Sequence, residues 1–304
     1  MDIIPWPLIL FTILIQMAVG VFFVAETLSL SFFRKFGFEK GRSCRLFLRA
    51  LSLIPSILAV AVSFFHLGSP SRALHILNNL KSSWLSREIL FLAIFVTLMA
   101  LLAALEWWRI RMQSIQCFLV FVGGLSGVGL IFSMSRLYML PTVPVWNSFF
   151  TPASFFAVSF LLGNQLAAAG CTAFLTRTRN QTVQEIQTHW NQNTIRQIEI
   201  LSLFLIGAVF SLTVFFFLHF GYSEKGSDAA LSLIVRNKSA FFAVRLLLTL
   251  IGAFLLGVSL ALLKKNNFEK KKSRLFIYSG FLVLLLAEIL GRYLFYEVYV
   301  RLGL

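Results

Sequence analysis

The sequence predicts an all-α fold, a polytopic membrane bundle of eight transmembrane helices, and three observations support this class. Of its 304 residues, 58% are hydrophobic and only 13% are charged, whereas soluble domains average about 25% charged residues. There are eight separate runs of the roughly 20 apolar residues that a helix needs to cross a bilayer. The period-two alternation of a membrane β-barrel is missing.

The eight predicted spans follow one another within a single integral membrane domain, 1–304. The longest loops, at about 176–198 and 221–239, are too short to form a soluble domain. No strong internal repeat is visible at the level of sequence. The spans are predicted at 6–30, 46–67, 88–108, 116–139, 152–175, 199–220, 240–263 and 275–297.

Capping residues mark several of the predicted boundaries. Gly68 ends the second span, since glycine is favoured just beyond a helix. Ser69 and Pro70 then begin a short interfacial helix that reaches residue 80. Ser86 is predicted to cap the third span, which would place Glu88 in its first turn. Thr151 and Pro152 form a similar start to the fifth span.

The positive charges predict the orientation of the protein. The loops after spans one, three, five and seven hold 17 of the 27 Lys and Arg residues, against 7 in the intervening loops. The positive-inside rule places the basic loops in the cytoplasm, so both termini are predicted to be extracytoplasmic. The net charge of +15 is therefore a signal of topology, and no nucleic-acid partner is predicted.

This orientation gathers polar residues of several helices towards the outer end of the bundle. They are His66, Glu88, Arg136, Arg245, Glu288 and Arg292, with Gln16 nearer mid-depth. A charged residue near the bilayer centre costs about 2.5–3.5 kcal/mol on insertion scales. Each of these polar residues also has a purely structural explanation, such as a helix dipole, snorkelling or an i, i+4 pair between Glu288 and Arg292. It is their clustering at one end that favours a site.

A histidine and a carboxylate at this depth suit the oxidation of a membrane-soluble quinol. Each quinol hydroxyl loses a proton as the electrons leave, and imidazole and carboxylate groups can accept it. A bis-histidine haem would need two facing imidazoles, and only His66 and His219 lie near spans, both at outer ends. We therefore expect no haem and no metal in this protein, and electron transfer directly to a cofactor of a partner subunit.

Several motifs along the whole sequence resemble the DmsC family, the membrane anchor subunits of bacterial dimethyl sulfoxide reductases. The motif HLGSP, with its spacing to the later motifs, is the most specific part of the resemblance. The matching segments are residues 6–8, 66–70, 86–89, 136–138, 142–146, 151–152 and 288–296, together with Gln16.

The resemblance implies an eight-span, haem-free anchor in the bacterial inner (plasma) membrane. Such an anchor oxidises menaquinol and passes electrons to an iron–sulfur subunit, and thence to a molybdopterin catalytic subunit. In that family the histidine of HLGSP and the glutamate that opens the third span are tied to menaquinol binding. These residues match His66 and Glu88 here. Supporting roles are expected for Gln16, Arg136, Tyr138, Arg245, Glu288 and Arg292, and the terminal electron acceptor stays open.

Two alternatives belong to other functional classes. A secondary transporter would place its polar site near the midplane, often within broken helices in matched halves. Here the polar groups lie towards one rim, and no span shows a clear break at its midpoint. A purely structural anchor would have no quinol-dependent phenotype when His66 or Glu88 is changed.

Overall fold

A computed structural model describes residues 6–40, 42–65, 79–177, 192–221, 239–264 and 271–297. Each of the eight helices in these ranges contains a segment long and apolar enough to cross a membrane, which confirms the predicted class. His66 and most of the predicted interfacial helix lie outside the described residues. The helices are α1 Trp6–Lys40, α2 Arg42–Ser63, α3 Trp84–Trp107, α4 Gln113–Tyr138, α5 Phe150–Arg177, α6 Gln192–Gly221, α7 Ser239–Lys264 and α8 Lys271–Glu297.

Several helices are longer than the predicted spans, and two predicted caps are wrong. Ser83, not Ser86, is the N-cap of α3, since its extended backbone precedes the helix and its Oγ accepts from the Ser86 amide at 3.3 Å. Glu88 therefore lies in the second turn. Thr151 lies inside α5, where its Oγ1 donates to the Trp146 carbonyl at 2.7 Å. Hydropathy locates the apolar stretch of a helix, but the backbone hydrogen bonds continue past it.

The helix contacts follow a pattern that repeats between α1–α4 and α5–α8. In each group consecutive helices pack together, and the first helix also packs on the fourth. Between the groups α1 packs on α5, α4 on α5 and α8 on α1. Exchanging the two groups leaves these contacts unchanged, with the α2–α5 contact as an exception. The two groups therefore share one order of helix contacts, a repeat that the sequence did not reveal.

The crossing of α1 and α5 lies at the centre of this arrangement. A Cβ atom at Gly20 would overlap the Ser159 carbonyl, and one at Gly163 would overlap the backbone of Gly20. Small residues allow helices in a membrane to approach this closely. These two helices also have the largest buried share among the eight spans of the described residues, 72% each. They form the core on which the other helices pack.

Helix α2 shows how the bilayer reverses the usual distribution of residues. Its buried face carries polar side chains, including Arg45, Arg49, Ser52, Ser56 and Ser63. The opposite face presents apolar residues that are more than half exposed, namely Ile54, Ile57 and Leu58. Apolar side chains gain nothing by leaving lipid, whereas charged ones gain partners inside the bundle. The polar groups of this protein are therefore found mainly between helices.

Candidate functional site

The predicted carboxylate lies inside the bundle, at the end that carries Trp6 and the α4–α5 connection. We call this the outer end, following the predicted orientation. Glu88 is only 5% exposed. Its Oε2 atom is buried and has no hydrogen-bond partner within the described part of the protein. Buried polar atoms are normally hydrogen-bonded, so this oxygen can still accept a hydrogen bond or a proton.

Two tyrosines lie within the electrostatic field of Glu88. Tyr138 ends α4 and Tyr296 is near the end of α8, and their hydroxyl oxygens are 2.9 Å apart. Both hydroxyl groups lie close enough to Glu88 to interact with it electrostatically. The Tyr138 ring packs edge-on against Trp146 and Phe295 at centroid distances of 5.5 and 5.4 Å. The aromatic packing thus fixes a pair of phenols beside the buried carboxylate.

Arg292 joins three helices next to this pair. Its Nη2 donates to Gln16 Oε1 of α1 at 2.8 Å, and Gln16 Nε2 donates to the Phe155 carbonyl of α5 at 3.0 Å. The guanidinium carbon is 3.8 Å from the centroid of the Phe155 ring. A cation over an aromatic face is stabilised by the ring quadrupole, by about 2 kcal/mol or more when desolvated. Arg292 is 6% exposed and fixed in position by these contacts.

The expected i, i+4 pair of Glu288 and Arg292 is wrong. Glu288 Oε2 forms its salt bridge with Arg245 Nη2 of α7, at 3.6 Å, while Arg292 donates to Gln16. Gly291 explains why Glu288 pairs with Arg245. A Cβ atom at position 291 would lie 2.5 Å from Arg245 Nε. Without a side chain at Gly291, Arg245 can cross α8 and reach the carboxylate.

A cavity of about 100 Å³ lies beside these charges at the outer end. Its lining includes Arg245, Glu288 and Arg292 from α7 and α8, and Thr151 and Ser154 from α5. Glu288 Oε1 is buried and has no hydrogen-bond partner among the residues described. Seven polar residues near this end are called the outer polar network below, namely Gln16, Glu88, Tyr138, Arg245, Glu288, Arg292 and Tyr296.

Arg136 is not part of this network, and the position of His66 is not described. Arg136 Nη1 contacts Met139 Sδ at 3.4 Å, and its guanidinium carbon is 5.4 Å from the Trp84 ring centroid. Arg87 lies over the same ring at 4.2 Å. Arg136 therefore belongs to a cation–π group around Trp84. His66 lies outside the described residues, as do the side chains of the other three histidines, so the haem-free expectation stays a prediction.

Tyr296 is the member of the network that the sequence analysis misses. Glu288, Arg292 and Tyr296 are spaced four residues apart, which places them on one face of α8. That spacing, with the predicted roles of the first two, is the signal that could have found the third. The aromatic run around Tyr296 conceals it, because such runs are common at membrane interfaces.

A second polar cluster lies at the opposite, inner end of the bundle. Glu106 of α3 is fully buried and accepts from Arg45 Nη2 at 2.8 Å and from Arg49 Nη1 at 3.1 Å. Arg49 also binds Glu26 Oε1 of α1 at 3.1 Å and the Leu102 carbonyl at 2.9 Å. We call these four charged residues the inner ion network.

The 17 basic residues counted in the predicted cytoplasmic loops include Arg45 and Arg49, and their assignment to the first of these loops is wrong. Both lie in α2, and they are only 3% and 4% exposed. Their spacing of four residues places them on the same helix face, opposite the carboxylates of α1 and α3. The predicted span begins at residue 46 because the hydropathy drops there, although the helix begins at Arg42.

The protein is similar to known proteins over nearly its whole length. Residues 1–298 match the family described as DMSO reductase anchor subunit (DmsC). The C subunit of the anaerobic dimethyl sulfoxide reductase of Haemophilus influenzae is 29% identical over 307 residues, covering 98% of this sequence and 96% of the relative. Two relatives from Escherichia coli cover the same shares, namely the anaerobic dimethyl sulfoxide reductase subunit YnfH at 27% identity and a C subunit at 28%.

Proposed function

This protein belongs to the DmsC family of DMSO reductase anchor subunits, and we propose that it oxidises menaquinol at the outer polar network. As an anchor subunit, it works with catalytic and electron-transfer partners. We propose that the electrons pass to an iron–sulfur subunit and then to a molybdopterin subunit. The eight membrane-spanning helices make it a multi-pass protein, which we place in the bacterial inner membrane with both termini outside the cytoplasm.

The buried carboxylate of Glu88 is the observation that carries this proposal. Oxidising a quinol to a quinone breaks two O–H bonds and releases two protons and two electrons. The electrons leave to the partner subunit, so the protons need acceptors close to the two hydroxyl groups. The Oε2 of Glu88, which has no hydrogen-bond partner among the described residues, can accept one proton, and we assign the other to His66. General-base assistance of this kind contributes about 10²–10⁴-fold to a rate.

The neighbouring residues support binding and orientation in this scheme. Arg292, fixed by Gln16 and Phe155, remains a cation and can donate hydrogen bonds to a quinol oxygen. The Tyr138 and Tyr296 hydroxyls can exchange their mutual hydrogen bond for one to the ligand without any change of charge. The apolar surfaces of the surrounding helices admit the quinol ring and tail from the lipid.

The test is a pair of matched substitutions in the complex purified with its partner subunits. Glu88→Gln keeps the size of the side chain but removes a proton acceptor. Glu199→Gln is the control, because Glu199 is fully buried in α6 and lies outside the outer polar network. Glu88→Gln should lower menaquinol-dependent electron flow by about 10²-fold or more, while electron flow from an artificial dye to the partner subunits stays normal.

The result also separates this function from that of a structural anchor. If the protein were only a structural anchor, both Glu88→Gln and His66→Arg would oxidise menaquinol normally. If these variants also retained the binding of a quinol analogue, the assigned site would be wrong. An equal loss in Glu199→Gln would indicate a general effect of neutralising buried carboxylates and would also contradict the assignment.

A further inference from the structure

We propose that the groove between α1 and α4, at the inner end of the bundle, binds one phospholipid with an anionic headgroup. This groove is far from the outer polar network and has no part in the proposed quinol chemistry. Its volume is about 850 Å³. Sites for small organic ligands usually measure about 300–1,000 Å³, so a ligand of substantial size fits here.

The groove has the length of a lipid monolayer. Along α4 its lining extends from Gln113 to Val128, and along α1 from Phe22 to Leu30. At 1.5 Å per residue the α4 side measures about 22 Å. Half of the roughly 30 Å hydrocarbon core, with the adjoining headgroup region, has a similar depth. A lipid aligned with the helices would therefore fill the groove from the rim to mid-depth.

The lining changes from polar to apolar along this length. Arg111, Gln113 and Gln116 lie at the rim, whereas Phe121, Leu125 and Val128 line the deeper part. These three apolar side chains are 63%, 57% and 42% exposed. The groove is therefore accessible sideways from the bilayer. Such a gradient suits an amphiphile whose headgroup lies at the rim and whose acyl chain lies against α4.

The charge at the rim favours an anion. Among the described side chains near the groove, Arg42, Arg45, Arg49 and Arg111 outnumber the two carboxylates of the inner ion network, Glu26 and Glu106. Arg45, Arg49 and Arg111 line the groove itself. An excess of guanidinium groups in a pocket between transmembrane helices attracts anionic headgroups. A quinol is neutral and would gain much less from this excess.

An unpartnered hydroxyl gives a second, independent reason to expect a ligand. Ser29 lines the groove and is 3% exposed. Its Oγ has no hydrogen-bond partner within the described residues, although a buried serine in a helix usually bonds a nearby carbonyl. The position of Ser29, one turn beyond Glu26 towards the inner end of α1, is near the rim. A phosphate or ester oxygen of a lipid would satisfy this hydroxyl.

Gly124 offers a way to fill the groove without touching the charges. It lines the groove, and the three atoms nearest to a Cβ atom there belong to the Phe23 and Phe22 rings, the closest at 3.4 Å. Gly124→Leu should therefore place its larger side chain where the acyl chain would lie. Gly207→Leu is the matched control, because a Cβ atom at Gly207 of α6 would meet nothing within 4 Å.

The experiment uses the complex purified with its partner subunits from vesicles that contain equal phosphatidylglycerol and phosphatidylcholine. Mass spectrometry then counts the lipids and quinones retained per complex. The wild type and Gly207→Leu should retain phosphatidylglycerol. Gly124→Leu should lose about 90% or more of it, which requires binding to weaken at least tenfold. Arg111→Gln should reduce the preference for phosphatidylglycerol about fivefold, because an arginine near the membrane surface contributes about that much.

Several outcomes would overturn the proposal. Equal retention of both lipids by the wild type would mean ordinary bilayer lipid lines the groove. Retention of menaquinone instead of lipid would make the groove a second quinone site. Unchanged phosphatidylglycerol in Gly124→Leu would place the lipid elsewhere. Dye-driven and quinol-driven activities of each variant verify that the complex is folded. If Gly124→Leu fails this check, Ser29→Ala should still reduce the retention of phosphatidylglycerol.

Discussion

The inner ion network and the outer polar network both bury arginines and glutamates, but they bond them differently. At the inner end, Arg45 and Arg49 bind Glu106 and Glu26 at 2.8–3.1 Å. At the outer end, Arg292 binds an amide and an aromatic ring, and the Arg245–Glu288 bridge measures 3.6 Å. Glu88 and Glu288 each keep one buried oxygen without a partner among the described residues.

This difference separates a structural role from a chemical one. Burying charges inside a membrane protein is costly unless they are paired and hydrogen-bonded. The inner ion network meets that condition with protein groups alone, so it can fasten α1, α2 and α3 together. Within the described residues the outer polar network leaves acceptors unsatisfied, as expected where a ligand must bind and lose protons. The two ends should therefore respond differently to mutation.

The largest expected effect is on stability, at the inner end. Glu106→Gln would leave Arg45 and Arg49 without their shared carboxylate, and breaking a buried ion pair costs about 3–5 kcal/mol. We expect little assembled complex in membranes and a clearly lowered thermal unfolding temperature of whatever can be purified. Glu88→Gln should leave both quantities near those of the wild type. Equal destabilisation by the two variants would mean that both ends are structural.

The second-largest expected effect is on stability, at the crossing of α1 and α5. Gly20→Ala places a methyl group against the Ser159 carbonyl, which forces α1 and α5 apart. Overpacking of this kind costs about 1–3 kcal/mol, seen as a lower unfolding temperature. Gly257→Ala should have almost no effect, because a Cβ atom at Gly257 meets nothing within 4 Å. Similar stability of the two variants would contradict the close crossing.

At the outer end, Arg292→Lys tests whether position matters more than charge. Lysine keeps the positive charge but lacks the planar group that stacks on Phe155 and reaches Gln16. Losing a desolvated cation–π contact of about 2 kcal/mol should reduce menaquinol oxidation roughly 30-fold, with dye-driven activity retained. Arg136→Lys is the control, since Arg136 contacts Met139 and Trp84 instead. Equal losses would remove the distinction between these two arginines.

The smallest effect is expected for the tyrosine pair. Tyr296→Phe removes the 2.9 Å hydrogen bond to Tyr138 and leaves one buried hydroxyl unpaired, which costs about 1–3 kcal/mol at most. Replacing both tyrosines by phenylalanine should cost less than the sum of the single changes, because no hydroxyl is then left alone. Denaturation of the two single variants and the double variant measures this coupling. Strict additivity would mean that the bond contributes nothing.

The sequence predicts the number and order of the helices well, because the thickness of a bilayer sets the length of an apolar segment. It could not give the partners of Glu288 or Arg49, since helical periodicity identifies a face but not the neighbouring helix. Pairing along a single helix was the available prediction for Glu288, and Gly291 shows why Arg245 was chosen instead. The position of Glu88 was predicted to within one turn. The role of His66 remains a prediction.

The backbone contact between Gly20 and Gly163 holds α1 close to α5 partway along its length. Gln16, which binds Arg292, lies one turn to the outer side of this point, and Glu26, which binds Arg49, lies nearly two turns to the inner side. Any tilt of α1 about the glycines must carry these two residues in opposite directions. A tilt of this kind would couple ligand binding at one membrane face to the geometry of the other.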